Sequence, residues 1–202
     1  MNTLDYILDK YNVRDQEPPI KLECTRWATM PRLFRQLGYT LGVEVGVEVG
    51  RFSKSLCMGN PLLKVYGVDA WEVYPGYKED HKQEHFDKLY QEAKERLKPY
   101  NCQIIKDYSM NAVKRFADES IDFVFIDAAH DYGHVKEDIK EWSKKVRKGG
   151  IISGHDYVNG VNGQTFGVKP AVNEWVKKNK KILFLLVKGA NRDQCPSWLY
   201  VK

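Results

Sequence analysis

The sequence predicts an α/β fold: a single doubly wound, mainly parallel sheet with helices on both faces, closed by a C-terminal antiparallel strand pair. Three observations predict it. Short Val/Ile-rich runs alternate with longer amphipathic stretches from about residue 40 onward. The first run breaks into glycines through two tetrapeptides set back to back, Val43-Glu44-Val45-Gly46 and Val47-Glu48-Val49-Gly50. The next apolar run ends in a lone carboxylate, Asp69. Strand, glycine turn, helix, strand and acid in that order build a pocket for a nucleotide-like cofactor beyond the carboxyl ends of the strands.

Each element has its own signal. A helix over about 2–10 is separated by Gln16-Glu17-Pro18-Pro19 from a second helix over about 26–37, which ends near Gly38. The first strand covers about 40–45. A short helix carries Phe52 and Leu56 on one face and stops at Gly59-Asn60-Pro61. The strand Leu62–Val68 follows, and then a long helix with Phe86, Leu89, Tyr90, Ala93 and Leu97 at the spacing of one buried face. Ile104-Ile105 marks a strand, and Ser109 is the expected N-cap of the helix carrying Met110, Val113 and Phe116. Ile121–Ile126 is a strand. The helix over about 132–146, capped by Asp131, buries Val135, Ile139, Trp142 and Val146. Lys148-Gly149-Gly150 reads as a turn into Ile151-Ile152-Ser153. A Gly/Asn-rich loop, about 158–167, suits a lid over an acceptor and equally an ordinary surface loop. It precedes a helix with Pro170 in its first turn. Leu183–Val187 and Trp198–Val201 form the closing pair.

The 202 residues suffice for one sizeable core. The chain is read as an N-terminal helical extension, 1–38, packed on a core domain, 39–202. With 43% hydrophobic and 29% charged residues it has the balance of a globular protein, and no window has the apolar length of a membrane span. The first residues mix acids and bases without the apolar segment of a secretory signal, so a cytoplasmic location is expected. Cys24, Cys57, Cys102 and Cys195 are scattered with no CxxC, which favours buried free thiols over a zinc or redox motif. The net charge of +5 comes largely from lysines spread along helices, without a basic block interleaved with aromatics. Nucleic acid is therefore not the expected partner.

The cofactor half of the site is Glu44-x-Gly46-x-x-x-Gly50 with Asp69, nineteen residues after Gly50. Glycines let a backbone approach a ligand, and Asp69 could accept from both hydroxyls of a ribose. GxGxxG is missing, because Glu44 stands where its first glycine would be. A carboxylate there repels a pyrophosphate, which argues against a dinucleotide, and welcomes a cationic cofactor without phosphates. S-adenosyl-L-methionine (SAM) fits. Asp107 and Ser109, after the next strand, are placed to meet its adenine, although a turn residue and a helix cap explain them too. Trp71, Tyr74 and Tyr77 could cover the adenine or stack on a sugar, or simply pack a loop.

These residues, with the block Ile121–Tyr157 above all, resemble the class I SAM-dependent methyltransferases, a Rossmann-like family, and in particular the macrocin-type O-methyltransferase branch. The resemblance runs from about Arg26 to the C-terminus. It implies that Asp127 and an acidic pair after the next strand hold a divalent metal, Mg2+ or Mn2+, and that His130 is the general base. In this chain the pair reads His155-Asp156. The loss of one acid leaves the metal open, with Asp127, Asp156 and His155 as candidate ligands and His155 also an alternative base. Asp127 could instead hydrogen-bond SAM. Arg26 and Trp27 could reach the pocket from the second helix.

The function expected is methyl transfer to a small hydroxylated acceptor, of sugar or natural-product type, in a monomer or homo-oligomer. Two alternatives stay open: a SAM-binding interaction protein with weakened catalysis, and an N-methyltransferase acting on nucleic acid or another amine. Against the latter, Asp127-Ala128-Ala129-His130 stands where an Asn/Asp-Pro-Pro-aromatic motif would be.

Overall fold

A computed structural model of the chain describes residues 1–73, 82–161, 163–188 and 195–202. In chain order the elements are α1 (Thr3–Lys10), β1 (Ile20–Leu22), α2 (Arg26–Gln36), β2 (Leu41–Val45), α3 (Arg51–Gly59), β3 (Lys64–Asp69), α4 (Gln83–Leu97) and β4 (Cys102–Lys106). Then come α5 (Ser109–Ala112) with a 3₁₀ turn, β5 (Ile121–Ile126), α6 (Tyr132–Lys145), β6 (Val146–Gly154), β7 (Gly160–Val161), β8 (Gln164–Thr165), α7 (Val168–Lys178), β9 (Phe184–Leu186) and β10 (Ser197–Val201).

Eight strands form one sheet in the order β1-β9-β10-β6-β5-β2-β3-β4. From β6 to β4 all neighbours are parallel, and β10 runs antiparallel to both β6 and β9. The chain moves outward from β2 through β3 to β4, then returns to lay β5 on the other side of β2. The direction of winding reverses there, so a crevice opens between the carboxyl ends of β2 and β5.

Period-two side chains sort the central strands onto two cores. Phe123, Phe125 and Val65 face α1, α2 and α3, where they meet Ile7, Met30, Leu33, Phe34, Phe52 and Leu56. Val43, Val45, Val124 and Ile126 face α6 and α7, against Val135, Ile139, Trp142, Val168 and Val172. Among the described residues no helix is long and apolar enough to cross a membrane.

Three local features differ from the sequence reading. Ile20–Leu22 is a strand, parallel to β9, so the N-terminal segment joins the sheet rather than only packing on it. Lys148-Gly149-Gly150 is no turn before β6 but an irregularity within it. The pairing skips from Ile121↔Val146 to Phe123↔Ile151, and Gly149 takes a positive φ of 73°. The expected lid loop contains the short antiparallel hairpin β7–β8.

Candidate active site

The cofactor side begins where β2 ends. Gly46 has φ 90°, and a Cβ on it would lie 2.0 Å from the Asp127 carbonyl oxygen. Gly50, at φ 76°, starts α3, and a Cβ there would press on Leu97 of α4 at 2.8 Å. Both glycines are thus required by the chain's own packing, at the strand end and at the helix entry respectively.

Glu44 falls in the strand that the sequence places over about 40–45. It lies within β2, 2% exposed, and accepts a short hydrogen bond from the Ser53 hydroxyl. Burial pushes its carboxyl well above the usual range, so it is held towards the neutral acid. This corrects the expectation of a charged carboxylate at this position.

Asp69, at the end of β3, accepts from the Val47 and Glu48 amides at 2.9 and 3.0 Å through one oxygen and from the Trp71 amide at 2.9 Å through the other. Three of a carboxylate's roughly four acceptor positions are used in this way. The acid therefore fixes the β2–α3 loop against the end of β3. Trp71 is buried and its indole N–H donates to the Glu48 carbonyl at 2.8 Å. Tyr74 and Tyr77 lie outside the described residues.

The Asp107 amide donates to the Asp69 carbonyl at 3.0 Å, which brings the end of β4 alongside. Burial alone would raise the Asp107 carboxyl. Hydrogen bonds from Asn111, Arg115 and the Tyr108 amide outweigh it and hold the group below its usual range. Ser109 is not the N-cap; Tyr108 occupies that position. The Ser109 hydroxyl instead donates to Asp138 and accepts from the Trp142 indole at 2.9 Å, both on α6.

The second half of the site stands at the ends of β5 and β6. The Asp127 amide donates to the Val45 carbonyl at 2.7 Å, and the His155 amide to the Ile126 carbonyl at 3.1 Å. These bonds set Asp127, His155 and Asp156 side by side. Asp156 has φ 54°. One of its oxygens lies 2.9 Å from His130 Nε2 and the other 3.1 Å from His155 Nδ1. Burial would raise the Asp156 carboxyl, but the two imidazoles hold it far below the usual carboxylate range. Burial would likewise lower His130; Asp156, with help from Asp127, raises it above its ordinary value instead.

Asp127, His130 and Asp156 each offer a ligand atom within 4.8 Å of the others. His155 is not in that group: its side chain is 8% exposed, with Nδ1 on Asp156 and 3.9 Å from Asp127. His134 is elsewhere, paired with Asp131 at 2.5 Å on the exposed face of α6 beside an open surface depression. Asp131 caps α6 as expected, accepting from the His134 amide at 3.1 Å.

Three neighbours complete the cluster. Phe166 stacks on the His130 ring with centroids 4.5 Å apart, and the Gly167 amide donates to the His130 carbonyl at 2.6 Å. Segment 158–167 thereby packs on the His130 loop, with Asn162 outside the described residues. Arg26, from the first turn of α2, places Nη1 2.7 Å from Asp127 Oδ2. No spacing rule reveals that contact, since the pair is 101 residues apart.

Residues 43–157 match a protein-family model described as "Methyltransferase domain". No curated protein matches the chain in sequence. Among solved structures, the chain is similar to an O-methyltransferase from Bacillus cereus in complex with SAH, with 16% identity, a TM-score of 0.65, and coverage of 99% of this chain and 90% of that one. It is also similar to the O-methyltransferase TomG from Streptomyces achromogenes, involved in tomaymycin synthesis and solved with SAM. There the identity is 13%, the TM-score 0.65, and the coverage 99% of this chain and 96% of that one. At these identities the likeness speaks for the fold.

Proposed function

The chain belongs to the methyltransferase-domain family, and on that premise we propose that it transfers a methyl group from SAM to a hydroxyl of a small acceptor, of sugar or natural-product type. The observation that carries this reading is the convergence of Asp127, His130 and Asp156 at the carboxyl ends of β5 and β6, beside the crevice between β2 and β5. The structures to which the chain is similar, one holding SAH and one SAM, support the choice of cofactor.

SAM supplies a methyl group already activated on a sulfonium. The protein's own residues then have three tasks: to hold that group, to align the acceptor oxygen, and to receive its proton. Asp69, with one acceptor position left, and Asp107, adjacent at the ends of β3 and β4, suit a ribose hydroxyl and the adenine amino group respectively. Aligning two reactants in a closed crevice contributes several kcal/mol, up to about 7–11 in well-oriented systems.

His130 is the proton acceptor of choice. With Nε2–H donated to Asp156, its neutral tautomer keeps a lone pair on Nδ1, and that atom takes the acceptor's proton. Asp156 orients the ring and stabilises the imidazolium that forms. Phe166, stacked on the same ring, limits its rotation.

The donor set also fits a divalent ion, since two carboxylates and one imidazole face a common point. In a metal-bound form Asp127, His130 and Asp156 would hold the ion, His130 then being a ligand in place of the base, and the ion would supply Lewis-acid polarisation of the acceptor oxygen. The imidazole favours Mn2+ over Mg2+. His155, committed to Asp156 from a buried position, serves this set by orienting a ligand rather than as one.

Calorimetric titration with SAM, with and without Mn2+ or Mg2+, followed by a hydroxyl-acceptor screen that reads released S-adenosylhomocysteine (SAH), tests the reading. No binding of SAM under any condition would overturn it. Turnover that survives both Asp127→Asn and His130→Ala would overturn the assignment of the reacting cluster. Turnover lost to a chelator and restored by Mn2+ would support the metal.

A further inference from the structure

SAM, on the reading proposed above, carries two opposite charges at its amino-acid end: an ammonium and a carboxylate. The crevice has acids for the first. We propose that Arg26 is the receptor for the second, the cofactor's α-carboxylate, so that a residue of α2 belongs to the cofactor pocket.

The geometry is specific. Thr25 caps α2, its side chain accepting from the Ala28 amide, and Arg26 opens the helix. The guanidinium is held over three rings, at 4.8 Å from the centroid of Trp27, 5.1 Å from Phe52 and 5.5 Å from Phe125. Phe52 lies in the first turn of α3, just beyond the β2–α3 loop. Phe125 is the β5 partner of Glu44 in the sheet register. The same guanidinium reaches Asp127 at 2.7 Å with only 11% of its side chain exposed. These neighbours fix a permanent cation at the mouth of the crevice, between the loop that follows β2 and the carboxyl end of β5.

A buried guanidinium is costly unless paired, and three aromatic faces leave it little freedom. Its planar fork matches a carboxylate better than an ammonium on a flexible stem would. Asp127, the acid now paired with it, lies beside it, so the protein already presents a cation and an anion together, the complement of an amino-acid zwitterion. A purely structural Arg26, serving only to neutralise Asp127, would affect all adenosine ligands alike.

Two probes separate these cases. SAH carries the amino-acid end, and 5′-methylthioadenosine has the same nucleoside and sulfur without it. Calorimetric affinities are measured for both on the full-length wild type, Arg26→Gln and Arg26→Lys. We expect Arg26→Gln to weaken SAH about tenfold or more, the loss of a charged hydrogen-bonded pair. Its affinity for 5′-methylthioadenosine should be unchanged, which also reports that the variant is folded. Arg26→Lys, which keeps the charge but not the fork, should fall between and serves in its place if Arg26→Gln does not fold. Equal weakening of both ligands, or SAH affinity unchanged in both variants, would overturn the proposal. Failure of the wild type to bind either probe would instead overturn the cofactor reading, and the Arg26 assignment with it.

Discussion

Asp138 shows how a single side chain ties the cofactor side to the core. It lies on the buried face of α6 and receives the Ser109 hydroxyl, which in turn receives the Trp142 indole N–H. Burial pushes its carboxyl from 3.8 up to about 6. Since the folded value lies above the unfolded one, the folded state holds the proton more tightly. The stability linked to that proton is fully present below about pH 4 and is lost as pH rises through about 6, a difference of about 3 kcal/mol. Asparagine has no such titration but keeps an oxygen for Ser109. Denaturant unfolding across pH 4–7 should therefore show Asp138→Asn gaining on the wild type as pH rises; parallel curves would mean that folding does not raise the Asp138 carboxyl. His130 makes the complementary case at the reacting end. His130→Ala should lower kcat by about 10²–10⁴-fold, the usual worth of a general base, while SAH affinity by calorimetry stays near the wild-type value.

The β2–α3 loop carries the next prediction, because its glycines do two separable things. Gly46 combines a positive φ with no space for a Cβ, the Asp127 carbonyl lying 2.0 Å from where that atom would sit. Gly163, in the β7–β8 hairpin, also has a positive φ, 80°, but among the described residues nothing lies within 4 Å of its Cβ position. Alanine at 163 should cost about 1–2 kcal/mol of backbone strain and leave SAH binding intact. Alanine at 46 should add an overpacking cost of about 1–3 kcal/mol and displace the end of β5, so that SAH binding is lost as well. Equal melting temperatures for the two variants would remove the close packing from the account. The same loop shows what could be read in the sequence. The tetrapeptide doublet located the strand end, the turn and the helix, because those follow from local propensity. It could not show that Gly46 makes room for Asp127 and Gly50 for Leu97, since both partners are remote in the chain. Ser109 is a parallel case: a serine before an apolar helix has the local signature of a cap, yet its hydroxyl is drawn to Asp138 and Trp142, about 30 residues on. The acids at the ends of β3, β5 and β6 were legible because a strand fixes the position of the residue that follows it. Arg26 was legible only as a candidate, for its partner is supplied by the fold.

At the scale of the molecule the question is whether residues 1–38 are an extension or part of the domain. As a sequence they read as two helices before the alternating pattern begins, and so as an extension packed on the core. In the structure β1 extends the sheet beyond β9, and Ile7, Ile20, Leu22, Met30, Leu33 and Phe34 are buried on one of its faces. Each such side chain contributes about 1.5–3 kcal/mol on full burial, so the six together are worth about 10 kcal/mol or more. A domain's entire net stability is about 5–15 kcal/mol. Removing the segment would also uncover Phe123 and Phe184 and leave β9 as an exposed sheet edge, open to pairing with other chains. It would delete Arg26 from the crevice besides. We therefore propose that 1–38 and 39–202 fold as one unit. A chain beginning at residue 39 should be insoluble, or lack a cooperative thermal transition by circular dichroism and bind no SAH. The full chain should unfold in one transition that near- and far-ultraviolet signals report together. A truncated chain that melts cooperatively and binds SAH with the full chain's affinity would show the opposite: that the sheet from β2 to β10 is sufficient, and that Arg26 is dispensable to the cofactor.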